Sequence, residues 1–388
     1  MQNYLGFALD QLEKQSAVMT AKEINQQPSS WAKALKNLDA QKAQVLDFIK
    51  PVMDAEVSRI VFTGAGTSAF VGHSIAPAVR TITGKRTESI ATTDIVSNPY
   101  QYFSEDIPTL LISFARSGNS PESVAAVDLA NQCLSNVRHL LITCNKDGAL
   151  YVNGSKQDNA LPLLMPEETN DGSFAMTSSF SSMMLSALSV FFLAKGSVAE
   201  RFGYIAENTE KLIPRYVDYV KGIINDGIER IIYLGSGGLQ GLAQESALKI
   251  LELTAGQVVA TYDSPMGFRH GPKSIVNNKT MIVEYLSNND YTRLYDVDLL
   301  KELRRDGIAR RVTALTALSD DAIANPDVLV LDGFEKAQDF ELLFPYIVFA
   351  QIYALYSSLA HDITPDNPCP SGEVNRVVQG VIIHQFTN

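Results

Sequence analysis

Two short apolar runs, RIVFTG over 59–64 and RIIYL over 230–234, each lead into a glycine turn that opens a helix-length segment. The turns are Gly64-Ala65-Gly66-Thr67 and Gly235-Ser236-Gly237-Gly238, and they stand 171 residues apart. A strand, glycine turn and helix that return at such a distance describe two α/β halves rather than one enlarged core. Further runs follow the first turn: SIATTD (89–94), TLLISFA (109–115), HLLITCN (139–145) and ALPLLM (160–165). TMIVEYL (280–286), RVTALTALS (311–319) and VLVLD (328–332) follow the second, with helices expected over about 291–305 and 340–360. Strands that are apolar throughout are buried on both faces, so each half is expected to be a parallel sheet covered on both sides by helices.

A chain of 388 residues exceeds one ordinary core. The expected division is a helical arm over 1–48, a first α/β domain over 49–205 and a second over 206–388. In the arm, Thr20-Ala-Lys-Glu23 is shaped like a capping box and Ser29-Ser30-Trp31 opens the next helix. Gly196, Gly203 and Pro214 interrupt the pattern near 197–222, where the two domains join. The sequence closes with a loop, TPDNPCPSGE (364–373), and a last segment, NRVVQGVIIH (375–384).

Charge and cysteines narrow the setting. A net charge of −11 with pI near 5.0 argues against a nucleic-acid or anionic-membrane surface. Cys133, Cys144 and Cys369 are odd in number and widely spaced, which gives no disulfide framework or metal knuckle and suits a reducing cytoplasm. The opening MQNYLGFALDQLEK lacks the basic-then-apolar pattern of a secretory signal. Residues 175–194 are uncharged over a bilayer-spanning length, yet they hold six serines and a threonine. That composition predicts a buried helix with a small polar face.

Three stretches carry chemistry. In the helix expected over 239–256, Glu245, Lys249 and Glu252 fall within roughly 60° of one another. They are either a solvated face with i,i+4 pairing or, with His270 of the following RHGPK loop, part of one site. The other two stretches are turns at strand ends, where open α/β sheets bind ligands. One offers Gly66, Thr67 and Ser68; the other offers Arg116, Ser117 and Ser120, with Ser120 placed as the N-cap before Pro121. Glycine lets backbone approach an anion, and hydroxyls and N–H groups donate to it. Neither turn is a dinucleotide fingerprint and no Gly-Lys-Ser/Thr is present, so a small phosphate monoester is the better fit.

Together, TGAGTSAF, LLISFARSGNSPESVAAV, LLMPEE, FAMTSS, YLGSGGLQG, ESALKILELTAG, DSPMGFRHGPKS and VNRVVQGVIIH occur here in an order that resembles the double sugar isomerase (SIS) family. The likeness runs from Trp31 to His384 and is nearest to the galactosamine-6-phosphate deaminases of the tagatose-6-phosphate ketose/aldose isomerase type. The isomerase domain of glucosamine-6-phosphate synthase is a further relative. The resemblance implies two tandem three-layer domains with flavodoxin-like sheets, no cofactor and no metal, a sugar-phosphate substrate, and a homodimer. By the same likeness Ser68, Ser117 and Ser120 hold the phosphate with Thr67 nearby, and Thr177 meets the sugar. Glu252 is the base between C1 and C2, Lys249 assists at the sugar oxygens, and His270 opens the ring, reaching over from the partner subunit.

Three departures from the synthase pattern stand out. Ala115 and Arg116 replace a serine and glutamine, the loop before His270 is two residues longer, and the tail lysine is missing, with Arg376 as its substitute. The synthase feeds ammonia from a glutaminase domain with an N-terminal cysteine, whereas here residue 2 is Gln and the first cysteine is Cys133, so no ammonia source is expected. This favours deamination of galactosamine 6-phosphate to tagatose 6-phosphate. Plain aldose/ketose phosphate isomerisation without ammonia release and a non-catalytic sugar-phosphate sensor are the alternatives.

Overall fold

A computed structural model describes residues 3–372, 374–378 and 380–387. The chain divides into two compact units. The N-proximal unit comprises Ser29–Asp171, Met176–Tyr204 and Gly372–Asn388; the C-proximal unit comprises Met1–Pro28, Gly172–Ala175 and Ile205–Ser371.

The sheet of the N-proximal unit has five strands: β1 (Arg59–Thr63), β2 (Arg86–Ser89), β3 (Thr109–Ala115), β4 (Val137–Thr143) and β5 (Ala160–Leu164). They pair in parallel in the order β2-β1-β3-β4-β5. The sheet of the C-proximal unit has β6 (Arg230–Gly235), β7 (Val259–Asp263), β8 (Thr280–Tyr285), β9 (Arg311–Thr316) and β10 (Val328–Val330), all parallel in the order β7-β6-β8-β9-β10. Both are the 2-1-3-4-5 order of flavodoxin-like sheets. Even the register repeats, with Arg59 opposite Thr109 and Arg230 opposite Thr280. Every residue of β1, β3 and β8 is buried, as strands covered on both faces require.

Six helices bear on the chemistry: α1 (Thr67–Thr83), α2 (Pro121–Cys133), α3 (Ser178–Val190), α4 (Gly238–Leu253), α5 (Asp290–Asp306) and α6 (Asp339–Ala360). All of α3 is buried, as its serine-rich composition predicts. α6 is the one described helix long and apolar enough to cross a membrane, and its apolar stretch is wholly buried in the protein.

Four local expectations change. The run at 89–94 is not a strand: β2 ends at Ser89, and Thr92–Ser97 is helical. Thr20 does not cap a helix, because it lies inside Val18–Asn25 and its hydroxyl donates to Asp366 Oδ1 at 2.7 Å. Gly203 and Pro214 do not break the chain, since Val198–Ile223 is one helix. Its buried Phe202, Ile205, Leu212, Ile213, Tyr216, Val217 and Val220 form an apolar stripe at helical spacing that outweighs the cost of one proline. From Leu9 the arm is largely helical as expected, after the short paired strands Asn3–Tyr4 and Phe7–Ala8, but residues up to Pro28 belong to one unit and those from Ser29 to the other. Trp31 is fully buried, and its indole Nε1 donates to Ser181 Oγ at 2.8 Å.

Candidate active site

The first turn is shaped by glycine. Gly66 adopts φ 55°, ψ −129°, a conformation that only glycine takes readily. A Cβ on Gly64 would lie 2.6 Å from the carbonyl carbon of Ser68, so the turn closes onto the first residues of α1. Thr67 and Ser68 are buried at that helix start, with Ser68 Oγ 3.8 Å from Met176 Sδ, a weak contact only.

The second turn, 116–120, is held by its neighbours. Asn145 Nδ2 donates to the Ser117 carbonyl at 2.9 Å, the Leu150 N–H donates to the Gly118 carbonyl at 2.9 Å, and Asn119 Oδ1 accepts from the Ala149 N–H at 3.0 Å. Ser120 is the N-cap of α2, as its place before Pro121 predicts, but its side chain makes no capping bond. Among the described residues, the Ser117 and Gly118 N–H groups and the Ser120 hydroxyl have no protein acceptor. Hydrogen-bond donors gathered at a strand end and a helix start suit an anion.

The counterpart in the other unit shows what filling does. With Thr280 matched to Thr109 by register, Ser287, Asn288 and Asn289 fall at the places of Arg116, Ser117 and Gly118. There the chain supplies its own carboxylates. Asp296 of α5 accepts from the Ser287 N–H at 2.9 Å and from Ser236 Oγ of the glycine turn at 2.7 Å. Asp339 of α6 accepts from the Asn288 N–H at 2.8 Å and Ser287 Oγ at 2.6 Å. Burial pushes the Asp296 carboxyl up to about 6. Where the first glycine turn has Ser68, the second has the buried apolar Leu239.

Arg116 is buried, and its Nη2 donates to the Arg376 carbonyl at 2.9 Å. The Arg376 guanidinium itself is turned onto the Asp171 carbonyl, with Nε at 3.1 Å and Nη2 closer. These bonds tie the tail to the turn. Thr177 is fully buried, and its Oγ1 has no hydrogen-bond partner among the described residues.

On α4 the face carrying Glu245, Lys249 and Glu252 is not solvated. Lys249 and Glu245 are fully buried, with Nζ 3.3 Å from Glu245 Oε1, and Lys249 also pairs with Glu252 Oε2. Burial alone would lower the Lys249 pKa, but the two carboxylates outweigh it and hold the group above the ordinary lysine value. Lys249 is therefore a resident ammonium, a donor and a charge rather than a free amine nucleophile. Glu252 keeps 22% of its side chain exposed, and its Oε1 has no described partner. After α4 the chain reverses through Ala255 and Gly256, both in the left-handed region.

His270 is exposed on a loop fixed at both ends. Phe268 is buried among Leu286, Leu299, Leu300 and Leu303. Arg269 Nε pairs with Glu302 of α5 at 2.9 Å, and Lys273 pairs with Glu302 and, at 2.5 Å, with Asp306. Lys273 chiefly, with Arg269, holds the Glu302 carboxyl below its usual range.

Residues 55–194 match the SIS domain family. D-galactosamine-6-phosphate deaminase AgaS of Escherichia coli is 50% identical over 369 residues, spanning 95% of this chain and 96% of that one. The chain belongs to the AgaS family of SIS-domain proteins. The crystal structure of tagatose-6-phosphate ketose/aldose isomerase from Escherichia coli superimposes with a TM-score of 0.87 at 47% identity, covering 95% of this chain and 97% of that one. A likeness of fold alone reaches the C-terminal domain of glucosamine-fructose-6-phosphate aminotransferase from Francisella tularensis, with a TM-score of 0.67 at 16% identity over 88% and 96% of the two chains. The chain has a turn with open N–H groups in one SIS-like unit and a counterpart filled by Asp296 and Asp339 in the other. Sequence reasoning missed Asp171, Asp296 and Asp339; aligning the halves at the glycine turns would have drawn attention to the last two through Ser287 and Asn288.

Proposed function

We propose that the protein deaminates galactosamine 6-phosphate to tagatose 6-phosphate and ammonia. The observation that carries this is the state of Glu252: one carboxylate oxygen is paired with a buried ammonium and the other is open. In the open-chain amino-aldose, Glu252 takes the proton from C2, giving an enolamine, and returns it to C1. Water then adds to the resulting C2 imine, the C–N bond breaks and ammonia leaves. No electrons are lost or gained. General acid–base help of this kind contributes about 10² to 10⁴-fold. Lys249 stabilises the oxyanion that develops as C2 loses its proton.

In this reading Gly66, Thr67, Ser68, Ser117 and Ser120 receive the phosphate through hydroxyls and backbone N–H groups. Arg116 adds positive charge, Thr177 meets the sugar, and Arg376 holds the tail. His270 moves the ring-opening proton. Its exposure fits donation to a second copy in a homodimer, as the family resemblance implies. The protein works in the cytoplasm, where its three free cysteines remain reduced.

The E. coli relative named a ketose/aldose isomerase favours a second reading: the same C2-to-C1 proton transfer on a hydroxy-aldose phosphate, with no nitrogen released. Incubating the purified protein with galactosamine 6-phosphate and with its hydroxy analogue, while measuring ammonia and ketose, decides between them. Ammonia and ketose in equal amounts from the first substrate support deamination. Ketose from the second substrate alone supports plain isomerisation.

A further inference from the structure

The most heavily hydrogen-bonded buried carboxylate of the N-proximal unit has no part in the chemistry above. Asp171 is fully buried. Its Oδ2 accepts from the N–H of Thr177 at 2.8 Å, from the N–H of Ser179 at 2.9 Å and from the hydroxyl of Ser179 at 2.5 Å; its Oδ1 accepts from the hydroxyl of Ser178. All four donors sit at the entrance to α3. A carboxylate there satisfies N–H groups that the helix cannot and complements its dipole.

This arrangement fixes the backbone of Thr177 while leaving its side chain alone. Asp171 takes the Thr177 N–H, and the Thr177 carbonyl receives the Ser181 hydroxyl at 3.4 Å. Oγ1 is left buried and without a partner among the described residues. Such a hydroxyl is costly to the folded protein unless something else comes to meet it. Thr177 is thus locked in place with one polar atom to spare.

We infer that Asp171 is a positioning residue that, by clamping the start of α3, aims the Thr177 hydroxyl at the sugar of the bound substrate. The inference rests on the proposed sugar-phosphate site, and it adds a residue that acts only through Thr177. Ala in place of Asp171 leaves the N–H groups of Thr177 and Ser179 without their carboxylate acceptor, whereas Asn could still accept both through its Oδ1.

A double-mutant cycle of D171A and T177V tests this, read as the calorimetric Kd for galactosamine 6-phosphate and so independent of whether turnover releases ammonia. Each single variant is expected to weaken binding roughly three- to tenfold, as loss of one hydrogen bond to the sugar does. The double variant is expected to be no weaker than the worse single variant, because both remove the same contact. T177S, which keeps the hydroxyl, is expected to bind like the wild type, and the Kd for inorganic phosphate is expected to stay within twofold throughout. Losses that multiply in the double variant, or a parallel loss of inorganic phosphate binding, would overturn the inference. If D171A does not fold, S178A removes one donor from the same carboxylate, and the cycle is run with it under the same criteria. A wild type that binds the sugar phosphate but releases no ammonia removes the deaminase reading and leaves this one standing; a wild type that binds none removes both.

Discussion

Gly66 and Gly237 hold nearly the same backbone angles, φ 55°, ψ −129° and φ 58°, ψ −123°, 171 residues apart in the chain. The match extends to their neighbours: a Cβ on Gly235 would lie 2.6 Å from the Leu239 carbonyl oxygen, as one on Gly64 would crowd Ser68. Two copies of one turn have therefore kept their geometry and parted in chemistry. An alanine at either position meets the same strain, about 1–3 kcal/mol. G66A and G237A are expected to lose similar amounts of unfolding free energy in urea titrations. Only G66A is expected to raise KM for the sugar phosphate, because only the first turn ends in Ser68.

The filled turn gives a second test. Replacing Asp339 by Ala leaves the Asn288 N–H and the Ser287 hydroxyl without their acceptor, at a cost of about 1–3 kcal/mol. A small oxyanion is expected to restore the missing acceptor. Added sulfate should then raise the melting temperature of D339A more than that of the wild type. Equal shifts in the two proteins would mean that the vacated position does not take an anion.

Asp296 makes stability depend on pH in a stated direction. Its folded pKa, about 6, lies above the ordinary aspartate value, so the folded state holds its proton longer than the unfolded chain does. The associated stability is complete below pH about 4 and is lost as pH rises through about 6, a swing on the order of 2–3 kcal/mol. D296N has no such proton. The wild type's stability relative to D296N is therefore expected to fall by about that amount between pH 4 and pH 7.5, measured by urea unfolding. A difference that stays flat across the range would contradict the assignment.

Lys249 separates stability from activity. Removing its charge leaves Glu245 buried and unbalanced, so K249M is expected to lose about 3–5 kcal/mol. Removing both charges in E245Q/K249M is expected to recover much of that stability in thermal melts. Activity is not expected to return, because the ammonium at the developing oxyanion is still missing.

The parts of the fold set by short-range patterns were legible in the sequence. Apolar runs followed by Gly-X-Gly located β1 and β6, and the serine content of 175–194 gave a buried helix. β2 was missed because Arg-Thr-Glu-Ser is a polar edge strand, paired on one side only, while the β-branched residues beyond it drew attention to a helix. Thr20 and Glu23 looked like a local cap, yet their partners are Asp366 and Ser173, more than a hundred residues away. Asp171 escaped because its value as an acceptor depends on how α3 begins. The charged face of Glu245, Lys249 and Glu252 on α4 was visible from helical spacing; the burial of Glu245 and Lys249 was not.

Glu252 as the carrier of the proton between C2 and C1 is tested by the turnover and substrate affinity of E252Q. The kcat for ammonia release is expected to fall about 10² to 10⁴-fold below the wild type, with the Kd for galactosamine 6-phosphate within about threefold of it. Near-normal turnover in E252Q, or a loss confined to binding, would contradict that role.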